Sequence, residues 1–489
     1  MGPTDVSGVQ ETHISILLFL GDHVFKLRKP VRLDFVDFST AVGRAEDCRR
    51  EVELNRRLAP DVYLGVGEII LGGETLEHCV VMRRLPAERS LAHLVGSNGE
   101  LAWDRELQSV AEQLARFHTR AARSDEISNA ASIEAVTALF EANVVATERF
   151  VGTVIDPGPH DDVVRRVKRY LDGRGPLFSS RIEAGHICDG HGDLQASDIY
   201  CLDDGPRILD CLEFDDKLRY GDVVADVAFL AMDLERLGAQ SAAERFVFHY
   251  ELSVGERLPT SLLDLYVAMR AYVRVKVACL RHEQGDPTAA PEAAGLLTLA
   301  QTHLVRSRVR LVLVGGLPGT GKSTLASALG AALGATVLHT DEIRQDVSLP
   351  AARGQAEATF RGGRYTPQRT QDVYETMMAA AQVHLGLGTT VVLDASWIDS
   401  SHREKVRSLA GESRAELIEL RCTAPPAVTE HRIMSRLREG SDLSEATVEV
   451  ARAMAQHESP WTSATAIDTT RDPNVVVAEA LRRVGEGAQ

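Results

Sequence analysis

The spacing of apolar residues changes near residue 307 and divides the chain into two parts with different patterns. After this point, short Val- and Leu-rich runs alternate with longer helical segments, at 311–314, 336–338, 390–393 and 416–421. Such alternation is typical of a parallel sheet covered by helices on both faces. The first part begins with strands, continues with a helix over about 43–58 and a strand pair around 69–83, and is mostly helical thereafter. We therefore predict a small sheet-rich lobe, a larger helical lobe and then a separate α/β domain.

Length and composition agree with two domains. A chain of 489 residues is too long for one ordinary core, and 44% apolar with 25% charged residues allows each domain its own core. We predict domains at 12–305 and 308–485. The early apolar run 14–20 is too short to cross a bilayer, and the seven cysteines are scattered without a CxxC pair. These features predict a cytoplasmic protein with reduced thiols and no membrane partner.

The formal net charge of −16 lies almost wholly in the first part, because the residues from 308 onward are nearly neutral. An acidic surface repels phosphates, so a nucleic-acid partner is disfavoured. The same charge suits a cationic or amino-bearing small molecule, although ordinary solvated surface charge is the alternative. On the helical stretch around 272–280, Arg274 and Lys276 are expected at the edge of a packed helix.

The strongest chemical signal is a glycine-rich turn that follows the run 311–314. Residues 316–323 read Gly-Leu-Pro-Gly-Thr-Gly-Lys-Ser and match the phosphate-loop pattern GxxxxGK[ST] at every fixed position. Glycines let backbone N–H groups turn toward phosphates, and the start of the next helix adds positive potential. The pattern predicts an ATP site with a backbone cradle at Gly316, Gly319, Thr320, Gly321 and Thr324.

Three side chains of this part are expected to complete the nucleotide site. Lys322 should reach the β- and γ-phosphates, and Ser323 should ligate Mg²⁺. Asp394 ends the strand 390–393, where a carboxylate binds the water shell of the metal. The predicted cofactors are therefore ATP and Mg²⁺.

Other residues of the second part are candidates for acceptor and lid. Asp341 follows the strand 336–338, at the edge where α/β sheets bind ligands. We expect it to orient and deprotonate an attacking hydroxyl; as an alternative it is only the N-cap of the next helix. Arg432 and Arg436 share a helix face and are candidates for a lid over the phosphates, or else are simply solvated.

Together, the phosphate loop, the segments HTDEIR (339–344) and VVLDAS (391–396), and the late arginine helix resemble a known group of P-loop kinases. This group includes gluconate kinase, adenylylsulfate kinase and polynucleotide kinase, with zeta-toxin-like enzymes nearby. The resemblance covers about 308–484. It implies transfer of phosphate from ATP to a hydroxyl, with Asp341 at the acceptor and Lys322 and Ser323 at the nucleotide.

A second set of carboxylates, in the first part, indicates another nucleotide site. His191-Gly192-Asp193-Leu194 is followed by Asp198, and the apolar strand 207–209 ends at Asp210. In kinase-like folds, a loop aspartate accepts the hydroxyl proton, a polar residue five positions later binds metal, and an aspartate at a nearby strand end binds Mg²⁺. We predict Asp193 as the base, with Asp198 and Asp210 as metal ligands.

A lysine and a glutamate are expected to pair upstream of this loop. Lys26 lies in the strand pattern 24–27, and Glu51 shares a helical stripe with Leu54 and Leu58, whereas Glu53 points away. A carboxylate on a core-facing stripe requires a partner, and Lys26 is the obvious cation. The alternative is a surface pair without a role.

These residues resemble the aminoglycoside phosphotransferase and choline kinase group over about 12–300. HGDL (191–194) matches the catalytic-loop signature of that group, and GDVVAD (221–226) resembles its GDxxxD motif. The resemblance implies a bilobal protein-kinase-like fold, with Asp193 as catalytic base, Asp210 as metal ligand and Lys26 as phosphate ligand. The whole chain is similar to a bacterial two-domain family in which such a domain is fused to a P-loop ATPase.

Two departures from the kinase pattern keep several functions open. Asp198 replaces the usual asparagine, and the segment 19–23 carries one glycine, Gly21, where kinase loops carry several. The favoured hypothesis is an enzyme with two kinase sites for small hydroxyl-bearing molecules. The alternatives are a P-loop kinase or ATPase regulated by a non-catalytic nucleotide sensor, and an ATP-dependent switch that binds a protein.

Overall fold

The computed structural model describes residues 6–12, 14–33, 36–97, 103–346, 366–439 and 446–486. The chain divides into two compact units. The first comprises Met1–Val167 and Phe178–Ser307, and the second comprises Lys168–Leu177 and Arg308–Gln489. The segment Lys168–Leu177 thus belongs with the second unit although it lies within the first part of the sequence.

The first unit opens with an antiparallel sheet that carries one helix. Its elements are β1 (Val6–Glu11), β2 (Ser15–Leu20), β3 (His23–Arg28), β4 (Arg32–Leu33), β5 (Val36–Asp37), α1 (Ala41–Asn55), β6 (Tyr63–Leu71) and β7 (Glu74–Arg83). The five-stranded sheet has the order β1-β2-β3-β7-β6, while β4 and β5 form a separate pair. Cys48 and Val52 of α1 pack with Val24 and Val80 of the sheet, which fixes the helix against β3 and β7.

The rest of the first unit is helical, with two short antiparallel ribbons, β8 with β11 and β9 with β10. Its helices are α2 (Leu91–Ser97), α3 (Asp104–Arg120), α4 (Asp125–Ala130), α5 (Ile133–Thr147), α6 (Pro157–Asp172), α7 (Gly175–Glu183), α8 (Val223–Arg236), α9 (Gln240–Val254), α10 (Thr260–Glu283) and α11 (Ala289–Arg306). The end of α6 and the start of α7 lie in the segment that belongs with the second unit. The ribbon strands are β8 (Ile187–Asp189), β9 (Ile199–Leu202), β10 (Gly205–Ile208) and β11 (Tyr220–Asp222). The ribbons flank the loop that carries Asp193.

The second unit is built on a five-stranded parallel sheet of order β13-β14-β12-β15-β16. Its elements are β12 (Arg310–Gly315), α12 (Lys322–Leu333), β13 (Thr336–His339), α13 (Thr340–Asp346), α14 (Pro367–Gly386), β14 (Val391–Asp394), α15 (Ser400–Glu412), β15 (Glu416–Thr423), α16 (Pro426–Glu439), α17 (Val448–Gln456), β16 (Thr465–Asp468) and α18 (Pro473–Glu486). The central strand β12 is buried from Leu311 to Gly315, as expected for a strand covered on both faces.

The fold classes predicted from sequence are confirmed. The first unit has the small sheet and larger helical lobe, and the second has the parallel sheet with flanking helices. Among the described residues, no helix combines the length and apolar character needed to span a bilayer. All seven cysteines fall within the described residues and are free, buried thiols.

Candidate active sites

In the first unit, Lys26 on β3 makes hydrogen bonds to two carboxylates, one on α1 and one after β10. Its Nζ atom donates to Glu51 Oε1 at 2.8 Å and to Asp210 Oδ1 at 2.7 Å. Glu51 is fully buried on α1, as its place on the apolar stripe predicted, whereas Glu53 is exposed. The structure therefore brings together three of the residues singled out from the sequence.

A buried arginine that sequence reasoning missed reinforces this pair. Arg28 Nη2 donates to Glu51 Oε2 at 2.7 Å and also contacts Glu213, while Nε donates to Asp47 at 2.5 Å. Burial raises the pKa of Glu213 to about 8, so this carboxyl is mostly protonated at neutral pH. Arg28 follows Lys26 by two positions on the same strand, and the i, i+2 spacing of the two cations was the available signal.

Asp210 lies on a strained backbone that its neighbours hold in place. Its φ of 61° is in the left-handed region, which is unfavourable for a residue with a Cβ atom. The N–H group of Asp210 donates to Tyr63 Oη at 3.2 Å, and that of Cys211 donates to Asn55 Oδ1 at 2.8 Å. These two hydrogen bonds hold the backbone at Asp210 and Cys211, while the Asp210 carboxylate accepts from Lys26.

The loop that carries Asp193 is clamped by Asp226 from α8. Asp226 Oδ2 accepts from the His191 N–H at 2.7 Å, and Oδ1 accepts from the Gly192 N–H at 2.9 Å. His118 Nε2 lies 3.2 Å from the same carboxylate, and its Nδ1 lies 2.8 Å from Tyr250 Oη. The second aspartate of the GDxxxD motif therefore positions the loop, while the first, Asp222, caps α8.

Three carboxylates of the loop region share one electrostatic environment. Burial raises the pKa of Asp193 to about 6, and the charge of Asp210 adds to this shift. Burial also raises the pKa of Asp198 well above its usual range, with repulsion from Asp210 and Asp193 as further causes. Lys26 lowers the pKa of Asp210. The mutual repulsion of Asp198 and Asp210 fits a divalent cation held by these two carboxylates.

In the second unit, the glycine-rich turn forms a closed loop ahead of α12. Thr320 Oγ1 donates to Leu317 O at 2.7 Å, and Thr469 Oγ1 donates to Thr320 O at 2.6 Å. Gly319 has a φ of 81°, and a Cβ atom there would lie 2.6 Å from Thr429 O. Only glycine fits this point, so the loop conformation depends on the residue that the motif specifies.

The first turn of α12 presents the polar side chains of the motif. Ser323 and Thr324 are exposed, and Lys322 is half-buried. Gly321, with a φ of 83°, is the residue before the helix, so the free N–H groups of the first turn follow the loop directly.

The two candidate lid arginines do not lie together over the loop. Arg432 Nη2 donates to Thr469 O at 2.8 Å, and its Nη1 donates to Gly319 O at 3.4 Å. Arg436, one turn later on α16, donates to Ala446 O at 3.2 Å. The structure thus brings Arg432 to the phosphate loop and directs Arg436 toward the segment before α17.

Asp394 ends β14 beside the phosphate loop, with one oxygen in use. His339 Nδ1 lies 2.7 Å from Oδ2, whereas the buried Oδ1 accepts no hydrogen bond from the described residues. Burial raises the pKa of Asp394, but the hydrogen bonds with His339 and Ser323 and the charge of Lys322 outweigh it, so the net shift is downward. An ionised carboxylate beside Lys322 and Ser323, with one buried oxygen that accepts no hydrogen bond from any residue the structure describes, fits a metal-bound water.

Asp341 lies in the first turn of α13 rather than before it. Its charge and that of Arg344 both act on Tyr374, whose pKa is raised mainly by burial. Tyr374 stacks on His402 with ring centroids 4.0 Å apart and meets Trp397 edge-on at 5.0 Å. The candidate acceptor carboxylate therefore lies within electrostatic reach of Tyr374, a neighbour that sequence reasoning did not identify.

The charges on α10 were misjudged from sequence. Arg274 was expected at the edge of a packed helix, but its Nε atom is buried, and its charge lowers the pKa of Asp193 against the effect of burial. Arg270, one turn earlier, acts on Asp193 in the same sense. The i, i+4 spacing was visible, but nothing local showed which helix face the loop covers.

Comparison with known proteins agrees with this architecture. Residues 29–263 match the model of the phosphotransferase enzyme family, and residues 311–460 match that of an AAA domain. The chain is similar to the choline/ethanolamine kinase family protein of Mesorhizobium loti, with 12% identity, 62% of this chain and 89% of that chain covered, and a TM-score of 0.39. It is also similar to a gluconokinase from Sinorhizobium meliloti 1021, with 17% identity, 36% and 92% covered, and a TM-score of 0.27.

A full-length relative is found in mycobacteria. Uncharacterized protein Rv2004c of Mycobacterium tuberculosis is 40% identical over 466 residues, which cover 94% of this chain and 92% of that protein. The match therefore includes both units and the segment between the two family-model matches. The chain belongs to the family of Rv2004c, and it consists of a domain of the phosphotransferase enzyme family followed by a P-loop domain of the kinase type.

Proposed function

We propose that the protein is an ATP-dependent phosphotransferase with two nucleotide sites, one in each unit, that acts on small hydroxyl-bearing molecules. The observation that carries the proposal is the lysine beside a strand-end carboxylate in each unit. Lys26 donates to Asp210, and the charge of Lys322 acts on Asp394. A lysine for phosphate oxygens and a carboxylate for the bridging metal are the parts that phosphoryl transfer requires.

In the first unit, Asp193 takes the proton of the acceptor hydroxyl. The hydroxyl oxygen then bonds to the γ-phosphorus, the bond from this phosphorus to the bridging oxygen breaks, and ADP leaves. Lys26, fixed by Glu51, holds the phosphate oxygens. Asp198 and Asp210 would hold Mg²⁺, which would supply positive charge to the phosphates. With a pKa of about 6, Asp193 is a stronger base than an exposed aspartate and is still ionised at neutral pH.

In the second unit, Asp341 serves the acceptor and the phosphate loop serves the nucleotide. The loop N–H groups, Lys322 and Arg432 bind the triphosphate, and Ser323 and Asp394 hold Mg²⁺. The nearly neutral charge of this unit supports a small acceptor rather than a nucleic acid. We place the reaction in the cytoplasm, where free thiols such as those of this chain stay reduced.

The experiment compares Asp193→Ala and Lys322→Ala in the full chain, with ATP consumption measured against a panel of hydroxylated metabolites. We expect each substitution to abolish a different acceptor-dependent activity, with a loss of about 10²-fold or more. If neither substitution changes ATP consumption with any acceptor, the proposal is wrong.

A specific observation favours a second candidate, a P-loop kinase or ATPase governed by a nucleotide sensor in the first unit. The turn between β2 and β3 has two residues, and Gly21 is its only glycine. Such a turn offers few backbone N–H groups to phosphates. If the first unit is a nucleotide sensor, only Lys322→Ala abolishes turnover. Asp193→Ala then changes how the activity of the second unit responds to nucleotide.

A further inference from the structure

Two arginines of α10 lie beside the catalytic loop of the first unit. The guanidinium carbon of Arg270 lies 5.1 Å from the centre of the Phe229 ring on α8. Phe229 is one turn from Asp226, whose carboxylate binds the loop N–H groups of His191 and Gly192. Arg274 is one turn further along α10, so both arginines extend from the same side of the helix.

Neither arginine has a carboxylate partner among the residues that the structure describes. Their Nε atoms are buried and make no hydrogen bond. Other arginines of this unit behave differently: Arg181 binds both oxygens of Asp222 at 2.7 Å, and Arg28 contacts three carboxyl groups. Two partly buried guanidinium groups on one face, neither with a carboxylate partner among the described residues, leave positive charge that an anion would neutralise.

Both arginines act on Asp193 without touching it. The charges of Arg274 and Arg270 lower the pKa of Asp193, although burial prevails. The hydrogen bond that the structure gives to this carboxylate comes from Gln195 Nε2, at 3.0 Å, and no ion pair joins it to either arginine among the described residues. The space between base and arginines is where the acceptor must lie, since its hydroxyl donates to Asp193.

We propose that the first unit phosphorylates a hydroxyl compound that carries a carboxylate or phosphate group, and that Arg270 and Arg274 bind this anionic group. The proposal rests on the phosphotransfer proposed above and names its acceptor class. Guanidinium groups bind carboxylates and phosphates through paired N–H donors, which suits either anion. A cationic acceptor would be repelled by the same two charges, so the pocket has the opposite preference from the one that the acidic surface suggests.

The test uses full-length protein with Lys322→Ala, which silences the second site, saturated with Mg·ADP. Calorimetry compares two matched sets of probes: glycerate, glycerol and 2-amino-1,3-propanediol, and glucose 6-phosphate, glucose and glucosamine. We expect the anionic member of at least one set to bind roughly ten- to a hundredfold more tightly than its neutral and cationic counterparts. Preference for glycerate would identify a carboxylate as the anionic group, and preference for glucose 6-phosphate would identify a phosphate.

Variants then locate the effect. Arg274→Gln and Arg270→Gln should each remove most of that preference, and Arg274→Lys should restore part of it. Arg149→Gln is the control, because Arg149 is 59% exposed and pairs with Glu283 on the surface. The affinity for Mg·ADP should not change in any of these variants.

Three outcomes overturn the inference. They are equal or tighter binding of the neutral or cationic probes, no binding of any probe in either set, and a loss of Mg·ADP affinity in the arginine variants. The last would mean that the arginines bind nucleotide phosphate. Failure of the Lys322→Ala protein to bind Mg·ADP at all would instead contradict a nucleotide site in the first unit, and so the proposed function itself.

Discussion

The Nζ atom of Lys26 lies 2.7 Å from a carboxylate oxygen of Asp210, a residue 184 positions later in the chain. The same nitrogen also binds Glu51, so one cation joins the sheet, helix α1 and the strand-end loop. In the proposed function this lysine is the phosphate ligand beside the metal carboxylate, and its removal should therefore weaken nucleotide binding by the first unit.

Lys26→Met should lower the acceptor-dependent turnover of the first unit by about a hundredfold or more, because a fixed donor to the phosphates is lost. Lys29→Met is the matched control: Lys29 follows the same strand but pairs with Glu11, which is 69% exposed. Steady-state rates in the Lys322→Ala background measure both. Equal effects of the two substitutions would contradict the role assigned to Lys26.

The turnover of the first unit should fall at acid pH through protonation of Asp193. A catalytic base must be ionised, so the first unit should lose activity near the Asp193 pKa of about 6. An ordinary aspartate would lose activity only near pH 4. Below the pKa of Asp193, kcat/KM should fall about tenfold per pH unit. A profile of kcat/KM from pH 4.5 to pH 9 in the Lys322→Ala background tests this, and a profile that stays flat down to pH 4.5 would exclude Asp193 as the base.

Asp226→Asn should destabilise the first unit by about 1–3 kcal/mol, because an amide cannot accept from both loop N–H groups and His118 as a carboxylate does. Asp203→Asn, at a fully exposed carboxylate, is the control.

The pKa of Asp226 is lowered in the folded state, mainly by His118 against the effect of burial. Its stabilisation is therefore present above about pH 4 and is lost as the pH falls further. Urea unfolding at pH 7 and pH 3 should show a smaller difference between variant and wild type at pH 3 than at pH 7.

Gly319→Ala should abolish nucleotide binding by the second unit, because the new Cβ atom would lie 2.6 Å from Thr429 O and deform the loop. Gly334→Ala provides a close control: its φ is also positive, at 58°, but nothing lies within 4 Å of its Cβ position. Backbone strain of about 1 kcal/mol is thus common to both, and only Gly319 adds a collision in the phosphate loop. Calorimetry with Mg·ATP in the Lys26→Met background, where nucleotide binding by the first unit is expected to be lost, separates them. Normal binding by Gly319→Ala would contradict the cradle.

Asp394→Asn should raise the Mg²⁺ concentration that supports ATP binding in the second unit by roughly tenfold or more, because a neutral amide holds the metal's water shell less well. The measurement is nucleotide affinity as a function of Mg²⁺. Asp399→Asn, at the N-cap of α15, serves as the control for a nearby carboxylate. An unchanged Mg²⁺ requirement in Asp394→Asn would contradict its metal role.

Several features were predictable because they depend on short segments. A phosphate loop is one strand, one turn and one helix, so its eight residues define both its shape and its chemistry. The pairing of Lys26 with Glu51 was predictable for a related reason, since the helical stripe required a buried carboxylate to find a cation. The roles of all these residues remain predictions for the experiments above.

The sequence by itself determined the two fold classes, the phosphate loop and the set of loop carboxylates, because periodicity and motif spacing are properties of local chain geometry. Only the tertiary structure decided that Arg28 contacts Glu213 across 185 positions, that Arg432 binds Gly319 O whereas Arg436 binds Ala446 O, and that the charges of Arg270 and Arg274 act on Asp193. These relationships depend on which helix face packs against which loop. That choice comes from the packing of the whole unit, since exposed and buried arginines have the same local sequence pattern.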